Sequence, residues 1–226
     1  GAVVGDALYV YGGNYGSAHD YSMEDQSGDL WKLDLKNPAK WEQLPGSAKL
    51  QGLAMVEYKG HLYRVGGFTA MNKVGDPQDL RSQTDFARFN IQTQAWEALP
   101  SLPEGRSSHD AAIVGDTLFV VGGWNLQGKG RESQWHESAL ALNLAAETPE
   151  WKTITTPPFK RRALALAELH GKLCCVGGMQ EQGGTTTAVA IYDPSKNAWS
   201  EGPALIGGGM DGFGASAFAC QGALYV

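Results

Sequence analysis

The side chains of this 226-residue chain that can do chemistry are few and mostly isolated. Its five histidines, His19, His61, His109, His136 and His170, are scattered, and its three cysteines are Cys174, Cys175 and Cys220. No two cysteines are separated by two residues, so the spacing of a structural zinc site is absent, and no metal centre is expected. A Ser-His-Asp arrangement is not legible either. What remains is basic and aromatic: Arg106-Ser107-Ser108-His109, Lys160-Arg161-Arg162, Trp124 with Trp135 and His136, Tyr15 with His19 and Tyr21, and Phe68. An arginine fork grips a carboxylate through two parallel N–H bonds, and an indole or phenol ring stacks on a sugar or anchors a protein side chain. These residue types point to recognition. Each aromatic has a second role open to it, packing its own loop into an ordered lid. Acid-base chemistry needs less machinery, and Arg106 with His109, Glu132 or Asp110 offers the residue types for it.

A repeat decides where these residues stand. Gly-Gly pairs at 12–13, 66–67, 122–123 and 177–178 recur at intervals of 54, 56 and 55 residues. Each closes a short apolar run: Leu8–Tyr11, Leu62–Val65, Leu118–Val121 and Leu173–Val176, with a fifth copy beginning at Leu224. Trp41, Trp96, Trp151 and Trp199 follow the second glycine by 28, 29, 28 and 21 residues. A strand-like segment lies between the two markers in every unit: Asp29–Leu35, Asp85–Ile91, Ser138–Leu144 and Ala188–Asp193. Glycine-bearing dipeptides such as Gly5-Asp6, Lys59-Gly60 and His170-Gly171 separate the first two strands, as primed hairpin turns require. Each unit therefore reads as four antiparallel strands, with the periodic tryptophan packed as core. Arg161–Leu169 has a brief helical look, but its alignment with Ala2–Val4 and Ala111–Val114 predicts a strand.

Self-similarity at a period of about 50 residues with this punctuation resembles the kelch family, and also the central domain of galactose-oxidase-like proteins, over essentially the whole chain. The resemblance implies an all-β, kelch-type β-propeller: four complete four-stranded blades, near 1–46, 47–101, 102–157 and 158–204, plus the first hairpin of a fifth at 205–226. Gly1 falls at or inside a first strand, and Val226 stops two residues short of the expected fifth Gly-Gly. One continuous propeller domain belonging to a six-bladed ring is therefore expected, its remaining blades supplied by the same chain; a five-bladed ring stays open. The copper centre of galactose-oxidase-like enzymes needs a cysteine-modified tyrosine and two histidines together, and no such set is legible, so no cofactor is expected. Kelch repeats often carry an arginine and a histidine just before a first strand, the place taken here by Arg106–His109 and by Arg161-Arg162. Bacterial kelch proteins that interconvert sialic acid anomers supply an alternative, a cofactor-free sugar-acid mutarotase similar to N-acetylneuraminate epimerase.

In a four-stranded antiparallel blade, the first-to-second and third-to-fourth turns share one end and the remaining connections share the other. The first set is short, such as Gly5-Asp6 or Gln92–Gln94. The second is long: Asn14–Gly28, Phe68–Thr84, Trp124–Glu137 and Met179–Thr187, with Pro45–Gly52, Pro100–His109, Pro157–Arg162 and Pro203–Phe213. Long loops on a rigid scaffold are where binding residues concentrate. Function is accordingly expected on the long-loop face, with a protein segment or a glycan as ligand and Tyr15, Phe68, Arg106, His109, Trp124, Trp135, His136, Arg161 and Arg162 as candidate contacts. A net charge of −6 and a single basic triplet argue against a phosphate-backbone groove, so nucleic acid is not expected. No apolar run approaches the roughly 18 residues a membrane-spanning helix needs.

Overall fold

The computed structural model describes residues 1–208 and 210–226; Gly209, inside the Pro203–Phe213 connection, lies outside the described residues. All regular elements among them are strands. β1 (Ala2–Val4), β2 (Ala7–Tyr11), β3 (Leu30–Asp34) and β4 (Trp41–Leu44) form a four-stranded antiparallel sheet in chain order. β5 (Ala54–Tyr58), β6 (His61–Val65), β9 (Phe86–Asn90) and β10 (Ala95–Ala98) form the second, and its long loop carries the hairpin β7 (Phe68–Ala70) and β8 (Leu80–Ser82). β11 (Asp110–Val114), β12 (Thr117–Val121), β15 (Leu140–Asn143) and β16 (Lys152–Thr153) form the third, with β13 (Trp124–Asn125) paired to β14 (Gln134–Trp135) in its loop. The fourth contains β18 (Ala165–Leu169), β19 (Lys172–Val176), β21 (Val189–Asp193) and β22 (Ala198–Gly202), accompanied by β17 (Arg161–Arg162) paired to β20 (Met179–Gln180). The hairpin β23 (Phe218–Cys220) and β24 (Ala223–Tyr225) completes the series. The expected strand at 161–169 is there, divided into β17 and β18. No helix of the described residues is long and apolar enough to cross a membrane.

By internal packing the chain divides into two compact units. The first is Gly1–Ser107 with the loop tip Asn125–Gln134; the second is Ser108–Trp124 with Trp135–Val226. In the first, Tyr9, Tyr11, Leu30 and Leu50 pack against Leu62 and Phe89. In the second, Phe119, Val121, Leu164, Leu166, Cys175 and Tyr192 form the corresponding core. The second strand of the second, third and fourth sheets is buried on both faces, which is why Leu62–Val65, Leu118–Val121 and Leu173–Val176 read as apolar runs broken at one position alone. Arg64 interrupts the first run, and its guanidinium bonds Asp85 at 3.4 Å and Ser47 at 3.2 Å above the Tyr11 and Trp96 rings.

The Gly-Gly pairs serve a backbone need. The second glycine of each donates to a carbonyl in the link entering the next sheet: Gly13 to Leu50 at 3.0 Å, Gly67 to Arg106 at 2.8 Å, Gly123 to Arg161 at 2.8 Å and Gly178 to Gly212 at 2.7 Å. At Gly12, Gly122 and Gly177 the approach leaves no room for a side chain. A Cβ on Gly122, whose φ is +73°, would lie 2.6 Å from the Arg161 carbonyl oxygen and 2.4 Å from a Leu164 methyl.

Trp96 and Trp199 fill the core positions expected of them. Trp96 lies 5.2 Å from both Tyr11 and Phe89 and donates its indole N–H to the Pro45 carbonyl at 2.8 Å. Trp199 contacts Tyr192 and Phe159 at 5.0 and 5.7 Å and donates to the Thr155 carbonyl at 2.8 Å. Trp151 is half-buried just ahead of β16. Trp41 departs from the expectation: it is 43% exposed. Trp96→Phe keeps an aromatic ring but loses part of the buried indole area and one exposed hydrogen bond, so unfolding free energy should fall by about 1–2 kcal/mol in a urea titration.

Cys174 and Cys175 are buried and free on opposite faces of β19, and burial pushes the Cys175 thiol up to about 12, which makes it inert. Cys220 is exposed at the end of β23, beside the Gln221-Gly222 turn.

Candidate functional site

The long loops do carry the candidate residues, yet they sort them into buried and presented groups. In the first unit, Tyr15 is exposed and its hydroxyl bonds Ser27 Oγ at 3.2 Å and the Asp29 carboxylate. The Tyr15 and Ser27 hydroxyls hold Asp29 below its ordinary range. Phe68 is only 6% exposed; its ring meets Tyr21 edge-on at 5.2 Å, and its backbone bridges to Gln51. It packs loop on loop, the second of the roles left open by the sequence. Arg106 is 2% exposed, and burial lowers its guanidinium to about 10.

In the second unit, His109 and His136 are buried. Asp110, next to His109, begins β11; its carboxylate accepts the Leu166 amide at 2.7 Å and the Ala111 amide at 2.9 Å. Burial outweighs these two bonds and raises its pKa to about 6. Both of its oxygens accept backbone amides at the entrance to the first strand of this sheet. Glu132 is exposed.

Trp124, Trp135 and Arg162 come together. The two indoles lie 5.9 Å apart at 60°, and the Arg162 guanidinium carbon is 4.0 Å above the Trp124 ring and 5.7 Å from Trp135. All three are half-buried. Backbone pairing sets the arrangement: β13 with β14 brings Trp124 to Trp135, and β17 with β20 fixes Arg162 opposite Met179. Contact with a ring face costs the guanidinium little hydration and holds its N–H fork in one plane.

The basic triplet 160–162 thus has three fates. Successive residues on a strand point to opposite sides, so Arg162 meets the tryptophans and Arg161 turns away onto Phe159, 4.4 Å from its ring. Lys160 lies between Glu137 and Glu181 at 2.7 and 3.2 Å, and these carboxylates raise its ammonium pKa. Residue type alone shows neither this division nor the parts played by Phe159, Glu137 and Glu181. The alternation of strand residues was the signal that could have found it. Among the described residues no group of three or more His, Cys, Asp or Glu side chains is placed to hold a metal ion.

No family model matches the chain. It is 29% identical over 208 residues to Kelch-like protein terF of Aspergillus terreus, covering 88% of this chain and 42% of that protein. It is 26% identical over 219 residues to N-acetylneuraminate epimerase of Haemophilus influenzae, covering 83% and 54% respectively. The chain therefore spans about half or less of the curated relatives it matches. The solved structure of YjhT superposes with a TM-score of 0.73 at 18% identity, over 99% of this chain and 69% of that one, a likeness of fold.

Proposed function

Because the chain belongs to the kelch-repeat β-propeller family, whose scaffold hosts many unrelated functions, we propose that it is a binding propeller whose long-loop face holds a protein segment or a glycan. The observation that carries this reading is Arg162 stacked against two half-buried tryptophans. Such a surface combines a flat apolar platform with a planar cation, which suits a carboxylate-bearing ring or an acidic side chain. A cluster with these residue types has the composition of a binding hot spot. The blades expected from the repeat, near 1–46, 47–101, 102–157, 158–204 and 205–226, are the frame for this face.

The full chain on glycan and peptide arrays, followed by titration of the best binder, tests the reading. Arg162→Ala and Trp124→Ala should each weaken binding about tenfold or more, with the circular dichroism of the folded sheets retained. Wild-type affinity in both, together with loss of binding on Gln92→Ala in a short turn, overturns the assignment.

The epimerase relative favours a second reading, a cofactor-free sugar-acid mutarotase. Exchange between the anomers of N-acetylneuraminate, followed by NMR with and without the protein, separates the two. Acceleration selects the enzyme; saturable binding without acceleration selects the module.

A further inference from the structure

Arg161 carries more than its place in the fold requires. Its carbonyl accepts the Gly123 amide, and the equivalent carbonyls are those of Leu50, Arg106 and Gly212. Leucine and glycine meet the same backbone need, so nothing in the sheet-to-sheet link calls for a guanidinium. Yet Arg161 is only 9% exposed, and burial lowers its pKa. One N–H donates to the Ala188 carbonyl at 2.9 Å and the ring of Phe159 covers one face. None of the ion pairs formed by the described residues involves Arg161. A buried cation matched only by a neutral carbonyl and a ring leaves much of its hydration unreplaced.

A cavity of about 310 Å³ opens beside this side chain, lined by Pro158, Phe159, Arg161, Ala188, Ser200 and Glu201 among others. It lies wholly within the second unit. Its walls are apolar apart from one cation, one hydroxyl and one carboxylate, the few polar groups that orient a small ligand. Glu201, from β22, is exposed and occupies the same lining. A simple anion would meet its charge unfavourably, whereas a molecule with a donor next to its carboxylate complements both groups.

We propose that this cavity is a binding site for a small amino or hydroxy acid, its carboxylate on the Arg161 fork and its ammonium or hydroxyl toward Glu201. The site is independent of the Arg162–tryptophan surface, from which strand alternation turns Arg161 away.

Glycine is the probe. In an NMR titration of the full chain, the Phe159 ring and Ala188 amide signals should shift saturably, with a dissociation constant in the millimolar range, on the order of what five heavy atoms support. Arg161→Leu, the residue that the equivalent position 50 already carries, should keep the fold and lose the response. Glu201→Gln should weaken it several-fold. If the wild-type chain gives no saturable shift, or Arg161→Leu responds like wild type, Arg161 serves only the Ala188 carbonyl and the proposal fails; an unchanged Glu201→Gln titration overturns the donor half of it.

Discussion

Gly177→Ala is expected to cost the second unit about 3–5 kcal/mol of unfolding free energy. Two effects add. The backbone at Gly177 has a φ of +62°, a left-handed conformation in which a Cβ is strained. That Cβ would also lie 2.4 Å from the Gly212 carbonyl oxygen, 2.8 Å from its Cα and 2.9 Å from its carbonyl carbon. These are backbone atoms, so no rotamer change relieves the clash. The link would have to retreat, and the 2.7 Å bond from Gly178 N–H to the same Gly212 oxygen would lengthen with it. Gly115→Ala separates the two effects, because Gly115 has a φ of +61° and a Cβ there would meet nothing within 4 Å. It should cost about 1–2 kcal/mol, the conformational part alone. Urea unfolding of both variants is the measurement, and equal losses would show that close approach of the backbone is not what the Gly-Gly pair serves.

The second large effect is a dependence of stability on pH that runs against the usual acid sensitivity of carboxylates. Asp110 titrates at about 6 in the folded chain because burial disfavours its charge, against an ordinary value of 3.8. The folded state therefore holds this proton more tightly than the unfolded one. Its contribution is fully present below about pH 4 and is lost as pH rises through about 6, amounting to roughly 3 kcal/mol by pH 7. Asp29, Asp79, Asp193 and Glu137 shift downward and act in the opposite sense, so the total curve mixes both signs. The difference between wild type and Asp110→Asn isolates the one group. An asparagine keeps an oxygen for the Leu166 amide but does not titrate. Urea titrations from pH 4 to 7 should show the wild-type curve falling relative to the variant by roughly that amount. Parallel curves would mean that Asp110 titrates like an exposed carboxylate.

Much of the architecture was legible because the rules behind it are local. Gly122 and Gly177 mark places where backbones meet, the runs 62–65, 118–121 and 173–176 mark strands covered on both faces, and Trp96 and Trp199 mark packing on a neighbouring sheet. The period of these markers carried the sheet count without any three-dimensional information. Trp41 was the exception, and its exposure depends on what covers a given face, which residue type does not encode.

The candidate site was legible only as a set of residue types on long loops. Amino-acid order determined that Arg106, His109, Trp124, Trp135, His136, Arg161 and Arg162 stand at the long-loop ends of their sheets, since strand direction follows from an antiparallel repeat. Tertiary structure decided how deeply each of them is buried. Burial removed Phe68, Arg106, His109 and His136 from the surface, the pairing of β17 with β20 sent Arg161 and Arg162 to opposite sides, and the hairpin β13–β14 carried Trp135 back to Trp124. The physical reason is that exposure on a loop depends on how distant segments pack over it, a quantity that no single repeat of this chain contains.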